Sequence, residues 1–402
     1  MMTADICVIV PTIRNPECIR SYVRNARDHD FDTDRLEFVL VTEDFCDTDA
    51  MESLFTELDI TGHVFDGTAR EAWFEEHDVS AFSHLVPEAS HAQTSFGLLY
   101  MWSKDFPYGV FIDDDTLPHD DVDFFGTHME NLAHEGIVEH VSSDEQWVNV
   151  LYQAADEHGL YPRGYPYAAM DESVETTAEQ SDHVVASQGL WTDVPDLDAV
   201  RILMDGDLQG QAQTRTERSH FGEDFVAAPG NYLTVCSMNL AFRREVIPAF
   251  YQLPMDDNPW DVGRFDDIWS GVFLKRACDL LGTTIYNGDP LCVHEKAPRS
   301  TFSDLTNEVH GLELNEHVWE LVDDARPTHL PEQEAEQPGP AGYAAAFEAM
   351  GESLASGDFE DWENGAFLNH CGEYMLDWLD CLDELRPNTI TATDRSPAAA
   401  DD

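Results

Sequence analysis

Lysine is almost missing from this chain: 402 residues contain only Lys104, Lys275 and Lys296, and arginine raises the basic total only to 21. Against them stand 80 Asp plus Glu, a formal net charge of -59, which excludes the cationic surface that nucleic-acid binding requires. No run of 18 apolar residues occurs, so a helical membrane span is excluded as well. The amino end, MMTADICVIVPT, has neither a basic segment nor a cleavable apolar one; no signal peptide and a cytoplasmic location are expected. CxxC is also absent. The eight cysteines (Cys7, Cys18, Cys46, Cys236, Cys278, Cys292, Cys371 and Cys381) are scattered, several within apolar runs, and read as buried thiols rather than disulfides or zinc ligands.

What is present argues for a folded protein. Hydrophobic residues make up 43% and aromatics 11%, too much for an acidic disordered chain. The carboxylates must therefore coat a core, and a lysine-poor acidic coat suits solubility in molar salt, where a Debye length of ~3 Å screens self-repulsion. A halophilic character follows as an expectation.

Short apolar runs alternate with helical patterns in the first third, as parallel strands joined by crossover helices do. Strands are expected at 5–12 and 36–42, helices after Pro16, around Met51 to Leu58 and at 88–103, and a further strand, YGVFI, at 108–112. The middle, 160–300, is mixed, with strands expected at 183–188, 197–203 and 232–236 and a helix near 266–281. Residues 1–325 form the expected main domain and 326–342 a linker rich in Pro, Gly, Glu and Gln. A helical segment is expected over 343–386, carrying Phe347, Met350, Leu354, Phe367 and Trp378, and a disordered tail over 387–402.

Chemistry-bearing residues sit where such a fold places ligands. Asp113, Asp114 and Asp115 directly follow a strand, and open α/β sheets bind ligands beyond the carboxyl ends of strands. Pro11, Thr12 and Arg14 close the first strand, and Glu43 and Asp44 the second. Arg163 lies in Pro162-Arg163-Gly164-Tyr165-Pro166, where Pro and Gly fix the backbone and aim one long side chain. Asp266 and Asp267 begin an apolar helix, where capping alone would favour acids. His294 and Lys296 follow a strand candidate. Trp191 and Trp269 fit either a sugar platform or the core, and Asn239 either a substrate amide or a turn contact.

The segments VIVPTIR (8–14), FIDDD (111–115), PRGYPY (162–167), SQGLW (187–191), MNLAF (238–242), GRFDDIWSG (263–271) and CVHEKAP (292–298) resemble, in sequence and order, those of reversibly glycosylated polypeptides, which include the plant UDP-arabinopyranose mutases. The resemblance spans roughly residues 5–320. It implies an α/β, glycosyltransferase-A-like nucleotide-sugar fold with a mixed central sheet, and the C-terminal helical appendage lies outside it. It further implies a UDP-sugar substrate with Mn²⁺ or Mg²⁺ held by Asp113, Asp115 and His294, because carboxylates approach a diphosphate only through a cation. Pro11, Thr12, Arg14, Asp44, Asp113, Asp114 and Lys296 become nucleotide contacts. Arg163 resembles the arginine that is glycosylated, or clamps the diphosphate; Asp266 and Asp267 resemble the pair that activates an acceptor.

The implied reaction is pyranose to furanose interconversion. The alternatives are transfer to a glycan or protein acceptor, a non-catalytic sugar-nucleotide-binding subunit in a homo- or hetero-oligomer, and a salt-adapted structural protein. One departure bears on the choice: the plant pattern has a second arginine seven residues after the first, and this chain has Met170, in a segment made more acidic by Asp171, Glu172 and Glu175. From the charge alone, raising KCl from about 0.1 M to about 2 M is expected to raise the thermal unfolding midpoint steeply. A midpoint independent of salt in a calorimetric series would refute the halophilic expectation.

Overall fold

The apolar runs of the first third form four parallel strands, β1 (Ile6–Pro11), β2 (Leu36–Val41), β3 (Thr61–Phe65) and β4 (Tyr108–Ile112), joined through α1 (Cys18–Asp28), α2 (Thr48–Leu58), α3 (Gly67–Glu76) and α4 (Gln93–Lys104). Five of the six residues of β1 are buried, as expected of a strand covered on both faces. These features come from a computed structural model, which describes residues 4–154, 159–170, 172–181, 183–255, 258–330 and 338–385. Asp171, the expected tail and residues 331–337 of the expected linker lie outside the described residues.

The chain continues through β5 (Thr116–Pro118), α5 (Phe124–Leu132), β6 (Gly136–Ser143), β7 (Trp147–Val148), β8 (Val174–Ser181) and β9 (Val184–Asp193). After these come α6 (Ala199–Asp205), β10 (Phe225–Ala227), β11 (Tyr232–Leu233), β12 (Asn239–Arg243), α7 (Asp266–Leu281), β13 (Thr284–His294) and α8 (Thr301–Asp323). Eleven strands share one mixed sheet in the order β3-β2-β1-β4-β12-β9-β13-β10-β6-β8, with β5 added against β13. The register sets up the site. β12 runs antiparallel to β4, whereas β13 runs parallel to β9 and antiparallel to β5, with His294 opposite both Asp193 and Thr116. The carboxyl ends of β9 and β13 therefore arrive beside the chain that has just left β4.

Four local expectations are corrected. Residues 197–203 form helix α6 rather than a strand: the Asp198 carboxylate accepts from the Arg201 backbone N–H, and Ala199 and Ile202 are buried at helical spacing. The strand expected at 183–188 runs on to Asp193, and the one expected at 232–236 is only Tyr232–Leu233. The linker was expected to reach 342, but α9 (Pro340–Ala355) already begins with Pro340 in its first turn, where the missing N–H has no intrahelical partner to lose.

Helix α9 and the following α10 (Ala366–Glu384) pack on the body. The Trp378 indole stacks on Tyr251 at 4.6 Å and donates to Ile247 O at 3.3 Å, while Trp102 Nε1 donates to Leu382 O at 3.0 Å. All eight cysteines are free thiols. Trp378→Ala leaves a cavity where these elements meet, and unfolding in denaturant is expected to show a loss of ~3–5 kcal/mol; an unchanged midpoint would mean that the body is stable without this contact.

Candidate active site

Asp113, Asp114 and Asp115 leave the end of β4 in different environments. Asp114 is held by the chain itself: Thr12 Oγ1 donates to its Oδ2 at 2.6 Å, Arg14 Nε donates to the same oxygen at 3.1 Å, and Arg14 Nη2 meets Oδ1. Arg14 thus spends one edge on Asp114 and keeps half of its side chain exposed. Asp113 and Asp115 have no such cation. The Asp113 carboxyl is pushed well above its usual range, first by burial and then by the negative charge of Asp115, Asp114, Asp267 and Asp196.

His294 reaches this group because β13 pairs with β5. The Glu295 N–H donates to Asp115 O at 2.8 Å, and His294 Nε2 stands 3.9 Å from Asp115 Oδ1. Its Nδ1 lies 2.7 Å from Val194 O and donates there, which leaves the Nε2 lone pair facing Asp115. Burial lowers the imidazole pKa against the opposing pull of Asp115 and Asp196. Among the described residues no three His, Cys, Asp or Glu side chains already converge on one point. A neutral imidazole nitrogen and uncompensated carboxylates nevertheless make a donor set that suits a divalent cation, whose remaining positions a diphosphate could fill.

The second half of the site is a buried ion cluster. Arg163 Nε donates to Asp196 Oδ2 at 3.0 Å, its two Nη atoms address Asp267 at 3.3 and 3.1 Å, and Nη1 also reaches Arg264 O. Only 9% of Arg163 is exposed. Burial works to lower its pKa, but Asp196 and Asp267 outweigh burial and hold the guanidinium protonated; Asp196 in turn stays well below its usual value despite its own burial, held by Arg163 and then Lys296. Gly164 gives the arginine its direction: φ is +89°, and a Cβ would stand 2.3 Å from Ile268 of α7. Asn315 of α8 donates to Gly164 O at 2.8 Å and accepts from Trp269 Nε1 at 3.1 Å.

The expected residues divide accordingly. Asp113, Asp115, His294, Lys296, Arg163 and Asp267 come together, with Asp266 buried in the first turn of α7 beside Asp267. Pro11, Thr12 and Arg14 bracket Asp114. Asp44 is turned to the start of α3, accepting from Thr68 N at 2.8 Å, and Glu43 is buried against Ala89 N and Gln93. Asn239 belongs to the interior: its Oδ1 pairs with His128 Nε2 at 2.9 Å and its Nδ2 donates to Leu190 O. Trp269 is core, and Trp191 is buried on β9. At Met170 a guanidinium arrives from another element, because Arg201 of α6 meets the thioether and lies over the Tyr161 and Tyr167 rings at 5.0 and 5.4 Å.

Asp196 was not anticipated. It lies just beyond the end of β9, but the strand was expected to stop at 188, well short of it. Arg264 was also missed; it adopts φ +64° before α7 and pairs with Glu308 at 2.7 Å.

A family model described as reversibly glycosylated polypeptide matches residues 78–337. UDP-arabinopyranose mutase 1 of Arabidopsis thaliana is 29% identical over 297 residues, covering 72% of each chain. UDP-arabinopyranose mutase 2 of the same plant is 28% identical over 338 residues, covering 81% of this chain and 82% of its own. Among solved structures, S. aureus TarS 1-349 in complex with UDP-GlcNAc aligns over 96% of this chain and 80% of its own at 12% identity, with a TM-score of 0.37, too low to carry an argument. Arg163→Met would strand Asp196 and Asp267 as buried unpaired charges, and equilibrium unfolding is expected to register a loss of ~3–5 kcal/mol. A loss below ~1 kcal/mol would mean that these carboxylates take up protons without cost.

Proposed function

From membership of the reversibly glycosylated polypeptide family, we propose that this chain is an enzyme of mutase or glycosyltransferase type that uses a UDP-linked sugar and interconverts its pyranose and furanose forms. The observation that carries this reading is the buried Arg163, held between Asp196 and Asp267 and next to the Asp113–Asp115 group. The names of the matched mutases supply the substrate class, UDP-arabinopyranose or a related sugar nucleotide. We further propose a cytoplasmic location in strong salt and catalysis within residues 1–325, with α9 and α10 bracing that body.

Asp115 and His294, with Asp113 behind them, would hold Mn²⁺ or Mg²⁺, which when bound neutralises diphosphate charge. The chain's own residues do the rest. Thr12 and Arg14, through Asp114, fix the loop that receives the nucleoside. In the reacting complex the C1–O bond breaks, and its electron pair leaves on the β-phosphate oxygen. A nitrogen of Arg163 gives a proton to Asp267 and bonds C1; a carboxylate able to receive that proton is a requirement for a guanidinium nucleophile, and two touch it here. The nitrogen lone pair then expels the ring oxygen, which takes the proton held by Asp267. The 4-hydroxyl closes on C1 and returns its proton to Asp267. Finally the diphosphate oxygen re-forms its bond to C1 as the C1–N bond breaks, its electron pair returning to the nitrogen, and Arg163 recovers its proton from Asp267.

Transfer to a glycan or protein hydroxyl is the second reading, favoured by Asp266 and Asp267 at the start of α7, where one carboxylate could act as base for an acceptor. The test incubates the protein in about molar KCl with Mn²⁺ and a panel of UDP-sugars, followed by chromatography and intact-protein mass. An isomeric UDP-sugar is expected, together with a sugar adduct absent from Arg163→Ala, and Asp115→Asn should lower turnover at least ~100-fold. UDP release without an isomer would replace the mutase with the transferase. No turnover of any sugar would reject both.

A further inference from the structure

Basic side chains are scarce everywhere in this molecule except beside the acids of the site. Across the chain 21 Lys and Arg face 80 Asp and Glu. Yet Arg163, Arg264, Lys296 and Arg299 all lie within electrostatic reach of Asp196. Lys296 is only 8% exposed and forms no ion pair with a described carboxylate. Arg299 spends Nε on Asp304 at 2.8 Å, and its remaining nitrogens make no hydrogen bond to described residues. Arg264 spends Nε on Glu308 at 2.7 Å and Nη1 on Asp304 at 3.4 Å.

This wall is built into the fold rather than left on flexible arms. Gln211 Nε2 donates to Lys296 O at 2.9 Å, the Arg299 N–H donates to Gln209 O at 2.9 Å, and the Gly210 N–H donates to Thr301 Oγ1 at 2.9 Å. Gly210 has φ +76°, and a Cβ there would stand 3.2 Å from Arg299 O, so loop 207–211 lies flat against the segment that carries both cations. The Glu295 N–H on Asp115 O ties the same segment to the end of β4.

We infer that Lys296, Arg299 and Arg264 form a clamp that retains the departed diphosphate inside the site between bond cleavage and bond re-formation. The inference rests on the UDP-sugar reading above and adds what decides between its two outcomes. When the C1–O bond breaks, the β-phosphate oxygen gains the electron pair and the diphosphate gains a full negative charge. The carboxylates of the site repel that anion at short range, where salt screens least. A transferase benefits from the repulsion, because UDP is its product. A mutase needs the same oxygen back on C1 after the ring has reclosed, so the anion must be kept against those carboxylates. Lys296, near Asp196 but in no ion pair with a described carboxylate, and the unspent nitrogens of Arg299 supply local attraction, and Arg264 engages Asp304 and Glu308.

The test uses Lys296→Met and Arg299→Gln in the full chain, with Lys296→Arg as the conservative control. UDP and uridine affinities are measured by calorimetry at the lowest KCl that keeps each variant folded, and the ratio of free UDP to isomerised UDP-sugar is measured at steady state. Each neutral variant is expected to lose about tenfold in UDP affinity with uridine affinity unchanged, and to raise the share of free UDP about tenfold; Lys296→Arg should restore both. The clamp is overturned if the UDP-to-uridine affinity ratio and the partition stay at the wild-type values in both neutral variants. Wild-type protein that binds no UDP would sink the UDP-sugar reading itself, a separate result read before any variant is made.

Discussion

Burying a guanidinium among carboxylates is the constraint on which the site is organised. Arg163 is costly to desolvate, and it stays inside because Asp196 and Asp267 meet its nitrogens from two directions. Those directions come from three separate pieces of chain: the loop after β9, the first turn of α7, and the Pro-Gly loop that carries the arginine. Each is fixed in turn. Asn315 of α8 holds Gly164, Asp198 caps α6 immediately after the Asp196 loop, and Glu308 holds both Arg264 and the Ala199 N–H. An error in any of these contacts would strand a buried charge, so the ion cluster acts as a check on the packing of helices whose own sequences are only loosely specific.

The sheet brings this cluster to the acids of β4. Parallel pairing of β1 with β4 and of β9 with β13 puts four carboxyl ends along one edge, and the short antiparallel β5 draws His294 to Asp115. The result is an anionic group near Asp196, with Arg163, Lys296, Arg264 and Arg299 within electrostatic reach of it. In a molecule so acidic, the exceptional feature is the local supply of positive charge. Other arginines are spent at the surface, for example Arg20 on Glu17 and Glu57 or Arg24 on Asp120, where each pair contributes little.

Met170 shows how far a linear pattern can mislead. A guanidinium seven residues beyond Arg163 is absent from the sequence, yet Arg201 brings one to the Met170 sulfur from α6, between two tyrosines of the arginine loop. Asp44, expected as a nucleoside contact because it follows a strand, accepts from Thr68 at the start of α3.

The sequence by itself determined the elements whose signals are local. Runs such as ICVIVP and YGVFI, short and rich in β-branched and aromatic residues, read as strands, the stripe of α1 follows from its spacing, and three acids follow β4 directly. Residues 197–203 were misread because an apolar run of that length fits either a strand or a helix until the Asp198 cap decides it. Tertiary structure alone decided which acids stand together. Asp115 meets His294, and Asp196 meets Arg163, across long sequence separations set by strand register and helix packing. Electrostatic fate depends on the distance and burial those contacts create: of two adjacent carboxyls, Asp114 is neutralised by Arg14 while Asp113 is pushed up in pKa by burial and its neighbours.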